Sequence, residues 1–210
     1  MADTSGIRVY HAPRTRSIRV LWLLQEMGLP HEIVPVKFDS RPAGDEAYAE
    51  IHPLRKIPAL DDKGTIVLES LAIVQYLLGR YGPSPLEVTP DEADYGRYLQ
   101  WLHFGEAGMM MPVSLLLAHT VLLPEKARDP KLAKWARSEV DHLLEFIGKH
   151  GIGDREYLAG DRFTAADISI VYMLYLIKVM RQFDGAPDNV EAYFKRLTQR
   201  ERWVAATAVE

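Results

Sequence analysis

Apolar residues follow two different rhythms along this chain. Up to about residue 82 they come in short runs broken by turn signals. "IRVYHAP" (7–13) reads as a strand that stops at Pro13. "SIRVLWLLQEMGLP" (17–30) reads as a helix ended by Gly28 and Pro30, and its unbroken apolar stretch from Val20 to Leu24 places it in a core. "HEIVPVKF" (31–38) is a second strand, in which Pro35 limits pairing. A strand, a helix and a strand within about thirty residues favour parallel strands joined by a right-handed crossover. "DSRPAGDEAYAEIHPL" is polar and loop-like, with room for one helical turn. "IPALDD" and "TIVLE" are short strands on either side of Lys63-Gly64, a hairpin signal, and a helix from Ser70 to Arg80 closes the unit.

Beyond that point the rhythm changes. "GPSPLEVTP" (82–90) is rich in proline and reads as a linker. The stretches 91–110, 130–150, 165–183 and 189–200 all carry helical periodicity, and no strand is expected among them. The expected organisation is an α/β domain over 1–82, a linker over 83–90 and an all-α domain over 91–210.

Composition narrows the function. The chain has 210 residues, enough for one large or two modest domains. It is 48% hydrophobic and 26% charged, as soluble globular proteins are. A net charge of −4 argues against a nucleic-acid surface. There is no cysteine, which excludes disulfides, thiolate metal sites and a protein thiol nucleophile. The start, "MADTSGIRVY", lacks a basic head followed by an apolar run, and "ISIVYMLYLI" (168–177) is too short to cross a bilayer. A cytoplasmic protein without membrane contact is the expectation.

Several short motifs carry chemistry. Glu69-Ser70 falls where a strand gives way to a helix. Local rules make Ser70 the helix cap, with Glu69 as a favourable charge beside it. The same groups also suit a ligand: a helix start with a hydroxyl binds a carboxylate, and a neighbouring glutamate takes an ammonium group. "RKIPAL" (55–60) places Ile57-Pro58 before the hairpin, where a cis bond would turn the chain and present backbone groups to a peptide-like ligand. "HAPRTRSIR" (11–19) sets Thr15 and Ser17 among Arg14, Arg16 and Arg19 at the start of the first helix. These residues are either a cap with solvated charges or donors for an anion. "FTAADIS" (163–169) has Thr164 three residues before Asp167, a capping box and so a folding element. "QWLHFGEAGMMMPV" (100–113) mixes aromatic residues and methionines, either core or an adaptable wall for apolar ligands. Pro112 is expected to kink or end its helix. His103 has no companions at metal spacing.

Taken in order, "RVLWLLQEMGLP", "KIPALDDKGTIVLESLAIVQYL" and "LAGDRFTAADISI" resemble the cytosolic glutathione S-transferase family over essentially the whole chain. The similarity is to bacterial-type members with a serine- or threonine-like active site. The resemblance implies a thioredoxin-like N-terminal domain that binds glutathione, a helical C-terminal domain, and a homodimer. It implies that Glu69 and Ser70 hold the γ-glutamyl end of glutathione. Ile57, ahead of a cis Pro58, would pair with the cysteinyl part, while Lys56 and Arg41 supply further contacts. Members of the family use a tyrosine, serine or cysteine near the first strand and helix. Here the candidates are Thr15, in the slot of a serine-type "SRS" stretch, then Ser17 and Tyr10. Tyr98, Trp101, Phe104 and Met109 are candidates for the electrophile pocket.

The implied activity is conjugation of glutathione to small apolar electrophiles, a detoxification chemistry with glutathione as co-substrate and neither metal nor other cofactor. A glutathione-dependent peroxidase or isomerase, or a non-catalytic regulatory relative, would share the same site. A dithiol oxidoreductase is excluded by the lack of cysteine.

Overall fold

A computed structural model describes residues 6–38 and 42–209, and it divides into two compact units. The first comprises residues 1–87 together with 200–210, and the second residues 88–199. The C-terminal segment 200–209, expected in the helical domain, therefore packs with the first unit.

In the first unit the elements run β1 (Ile7–His11), α1 (Ser17–Met27), β2 (Glu32–Pro35), α2 (Glu46–Ile51), β3 (Ala59–Asp62), β4 (Thr65–Leu68) and α3 (Ser70–Tyr81). The sheet order is β2-β1-β3-β4. β1 and β2 are parallel, as the crossover requires, whereas β3 runs antiparallel to both β1 and β4. Lys63 and Gly64 both adopt positive φ (54° and 90°), the pair of angles a two-residue hairpin of this twist demands. Asp61 Oδ1 accepts from the Gly64 N–H at 2.7 Å and closes the turn.

α1 is buried from Ser17 through Leu24 and forms the centre of this unit. The last helix of the chain, Glu201–Thr207, docks on it. Trp203 meets Trp22 edge-on with ring centroids 4.8 Å apart, and Arg200 grips Glu26 with two bonds of 2.7 and 2.9 Å. That helix has only seven residues, too few to be stable alone, and it forms because Trp22 gives Trp203 a surface to cover.

The second unit holds α4 (Tyr95–Ala107), α5 (Met110–Leu117), α6 (Pro130–Phe146), α7 (Ala165–Val179) and α8 (Asp188–Thr198), so the short helix over 201–207 is α9. No strand occurs among its described residues. The expected helix over 91–110 is α4, and it ends near Gly108. Pro112 then lies in the first turn of α5, where its missing N–H has no intrahelical partner to lose. The helical run Tyr95–Leu122 is thus interrupted at residues 108–109, one turn ahead of the proline, as expected. α4 and α7 cross closely at Gly105, where a Cβ would stand 2.3 Å from Ser169 Oγ. Ser169 Oγ donates to the Leu102 carbonyl at 2.7 Å across the same crossing.

The helical run Tyr95–Leu122 spans 28 residues and is long and apolar enough, by length and composition, to cross a membrane. It is longer than the apolar stretch 168–177 and lies elsewhere in the chain. Arg97, Glu106 and the exposed His103 interrupt its apolar character, and its buried residues Tyr98, Trp101, Leu102 and Gly105 lie on a helix that packs against α7.

α7 is buried on almost every face, as its sequence requires. Its capping box is formed: Thr164 N–H donates to Asp167 Oδ2 at 2.8 Å. Asp167 Oδ1 also accepts from the Leu158 N–H at 3.0 Å and from the Tyr193 hydroxyl at 2.7 Å. One carboxylate therefore ties the helix start to the preceding loop and to α8. Burial raises the Asp167 pKa, and the four groups that donate to it oppose that rise.

Candidate active site

Strand register brings three loops together. Tyr10, near the end of β1, pairs with Ala59 at the start of β3, and Ala59 pairs with Leu68 at the end of β4. The segments 12–16, 57–58 and 69–70 therefore leave the sheet at the same end. These are the three segments in which the sequence places candidate residues.

The Ile57-Pro58 bond is cis, and both residues are buried at the entry to β3. The chain ahead of them is held by Tyr48, whose hydroxyl donates to the Lys56 carbonyl at 2.6 Å. Burial pushes the Tyr48 phenol far above its ordinary value, so it remains a donor. Tyr48 also packs 5.5 Å from Tyr10, centroid to centroid. Arg55 Nε donates to the Ala43 carbonyl at 2.8 Å and ties the 52–58 segment to the loop before α2. The Lys56 side chain is exposed. Arg41 lies outside the described residues.

Glu69 occupies the cap position of α3, and Ser70 is the first helical residue, so the expectation that Ser70 caps the helix is corrected. Glu69 sits at φ 68°, ψ 120° and makes no side-chain cap bond. For a residue with a Cβ this backbone costs on the order of 1–3 kcal/mol and persists only where the surroundings impose it. Its carboxylate is exposed. Ser70 is buried, and its Oγ accepts from Arg19 Nη1 at 3.2 Å. Arg19 is fully buried. A guanidinium is costly to remove from water, and here it lies behind the hydroxyl at the positive end of α3.

Thr15 and Ser17 are both buried at the start of α1. Ser17 does not cap α1, as Arg16 holds the cap position without a side-chain bond. Its Oγ lies 2.7 Å from His11 Nδ1 and 2.7 Å from Thr15 Oγ1. Thr15 Oγ1 also donates to the Ala12 carbonyl at 2.8 Å. Tyr10 packs in an apolar cluster with Ala12, Ile57, Ala59 and Tyr48.

The candidates in the helical unit are placed differently. Tyr98, Trp101 and Met109 are buried, and of the four only Phe104 keeps partial exposure. Trp101 packs edge-on against Phe104 at 5.3 Å and beside Phe146 at 5.5 Å. Tyr98, Trp101 and Met109 pack inside the helical unit, and Phe104 keeps some surface.

His11, Tyr48 and Arg55 are not among the residues that the sequence motifs single out, and Arg19 stands there only as one of three basic residues near a helix start. Two of these left a signal. Arg19 interrupts a helix stretch that is otherwise wholly apolar. His11 follows Ile7 and Val9 on the inward face of a strand of period two.

The sheet, with its parallel pair, antiparallel hairpin and proline at the entry to β3, is a thioredoxin-like unit, followed here by a helical one. Residues 5–79 match the glutathione S-transferase N-terminal domain, and residues 124–196 match the glutathione S-transferase C-terminal domain. Glutathione S-transferase 3 of Schizosaccharomyces pombe is 31% identical, with 97% of this chain and 88% of that protein aligned. Glutathione S-transferase hmp2 of Hypomyces subiculosus is also 31% identical, over 90% of this chain and 92% of its own. Among solved structures, the glutathione transferase URE2P8 from Phanerochaete chrysosporium, crystallised with oxidized glutathione, superposes with a TM-score of 0.82 at 22% identity, covering 98% of this chain and 95% of that one. The chain belongs to the glutathione S-transferase family and is a transferase by that membership.

Proposed function

We propose that this protein conjugates the thiolate of glutathione to small apolar electrophiles, with Glu69, Ser70 and Ile57 holding glutathione and Thr15 holding its sulfur. The observation that carries this reading is the start of α3. It combines an exposed carboxylate in a costly backbone conformation with a hydroxyl backed by a buried guanidinium, at the sheet end where Thr15 also lies. A helix start with Ser70 and the Arg19 charge behind it favours a carboxylate, and Glu69 favours an ammonium group. Both occur on one carbon at the γ-glutamyl end of glutathione. Lys56 and Arg41 are cationic side chains suited to the tripeptide's other charged end.

A thiol of ordinary pKa, about 8.5, is mostly protonated at neutral pH. A hydroxyl donor and the positive end of α1 favour the thiolate, which is the nucleophile. The thiolate then attacks the electrophile and displaces or saturates it. A cytoplasmic homodimer engaged in detoxification is the setting this reading carries, by similarity to the family.

The test is the pH dependence of kcat/KM with a generic aromatic electrophile. Losing a hydrogen bond to a charged sulfur costs about 1.5–3 kcal/mol, or roughly one to two pKa units. Thr15→Val is therefore expected to move the acidic limb to higher pH by that amount, while Tyr10→Phe keeps the parent profile. A parent-like profile for Thr15→Val with a shifted one for Tyr10→Phe assigns the role to Tyr10.

A further inference from the structure

The hydrogens around Thr15 can be counted. The Val209 carbonyl only accepts, so His11 Nε2, 3.3 Å away, carries a hydrogen toward it. Burial lowers the His11 pKa, and the Val209 bond only partly offsets that, so the ring is neutral and its Nδ1 bears no hydrogen. Ser17 Oγ, at 2.7 Å, therefore donates to Nδ1. Ser17 has then spent its one hydrogen, and toward Thr15, also at 2.7 Å, it can only accept. The single hydrogen of Thr15 is shared between Ser17 Oγ and the Ala12 carbonyl at 2.8 Å. If Thr15 simply turned that hydrogen onto a sulfur, two hydroxyl oxygens would face each other at 2.7 Å with nothing between them. The chain is one hydrogen short, and a thiol brings one.

We propose that His11 is the terminal acceptor of the glutathione thiol proton, which reaches it through the hydroxyls of Thr15 and Ser17. The proposal rests on the glutathione reading above. In the step, the S–H bond breaks and its proton joins Thr15 Oγ1 while sulfur keeps the electron pair. The original Thr15 proton passes to Ser17 Oγ, and that of Ser17 passes to His11 Nδ1. Afterwards every link holds one hydrogen: Nε2 donates to Val209, Nδ1 to Ser17, Ser17 to Thr15, and Thr15 to the thiolate. Burial opposes a lone imidazolium, but this charge appears only together with a thiolate at the other end of the chain. Once conjugation has consumed the thiolate, the proton returns along the same chain to solvent at Thr15.

The arrangement explains why a histidine lies on the inward face of β1 and why the backbone after α9 meets it. The Val209 carbonyl holds the proton on Nε2 and so keeps Nδ1 open as the base. α9 is in turn fixed by the bonds of Arg200 to Glu26 and by Trp203 against Trp22.

The experiment is nitrogen NMR of histidine-labelled protein at neutral pH, saturated with glutathione or with S-methylglutathione, which has no thiol proton. The His11 signals are those that move with glutathione only, and His11→Asn confirms them. With glutathione both ring nitrogens of His11 are expected to be protonated, and with S-methylglutathione only Nε2. Asparagine offers Ser17 an acceptor but takes up no proton. His11→Asn is therefore expected to keep glutathione affinity and to lose about 10²-fold in kcat/KM, the lower end of what proton transfer contributes. Bound glutathione that absorbs as thiolate beside a neutral His11 overturns the relay alone, as does a parent-like rate in His11→Asn. Failure of the parent protein to bind glutathione overturns the relay and the reading beneath it together.

Discussion

At the start of α7, Thr164 and Asp167 satisfy each other. At the start of α3, Glu69 and Ser70 do not. The α7 carboxylate is fully buried and accepts from Thr164, Leu158 and Tyr193. The α3 carboxylate is exposed, makes no cap bond and sits on a backbone that only glycine adopts without cost. Ser70 turns away from the helix amides it would be expected to cap and toward Arg19 instead. Both starts use a hydroxyl with an acidic residue. One spends all its bonding capacity inside the protein and stabilises the fold. The other keeps its capacity open, retains backbone strain and holds a charge behind it, as a binding site requires.

Substitutions at the two starts should therefore separate stability from binding. The largest effect is expected for Asp167→Ala. It leaves the Leu158 and Thr164 amides and the Tyr193 hydroxyl buried without their acceptor, each at about 1–3 kcal/mol. Urea unfolding should show the helical unit weakened by more than about 3 kcal/mol, while the protein that remains folded binds glutathione as the parent does. A loss below about 1 kcal/mol would mean that water replaces the carboxylate and that the contrast is overdrawn. The smaller effect is expected for Glu69→Gly. Relief of the positive φ should raise the denaturation midpoint, for a gain of about 0.5–1 kcal/mol, while glutathione binding weakens. A destabilised Glu69→Gly would show that Glu69 holds the fold together and that its geometry is not kept for a ligand.

This contrast also marks what the sequence could show. The capping box at Thr164 and Asp167 was legible because its two partners lie three residues apart. The Lys63-Gly64 turn was legible because its angles restrict residue choice within the turn itself. The Ile57-Pro58 and Glu69-Ser70 motifs were legible as residue types in order, and strand register then explains why they share one end of the sheet. What escaped depends on partners far along the chain. Arg19 finds Ser70 fifty-one residues away, and His11 finds Val209 one hundred and ninety-eight residues away. α9 exists because of Trp22, and no local pattern reports that. An aromatic and methionine-rich helix face looks the same in sequence whether it lines a pocket or fills a core, and only the structure shows that Tyr98, Trp101 and Met109 are buried.

The most direct test of the claim that the α3 start is a ligand site is calorimetric titration of glutathione into the parent and into a protein carrying both Glu69→Ala and Ser70→Ala. Two bonds to charged groups, at about 1.5–3 kcal/mol each, correspond to a rise in Kd of at least about 10²-fold. That rise, in a double variant that circular dichroism shows to be folded, is the predicted result. A folded double variant that binds glutathione with the parent's affinity would contradict the account.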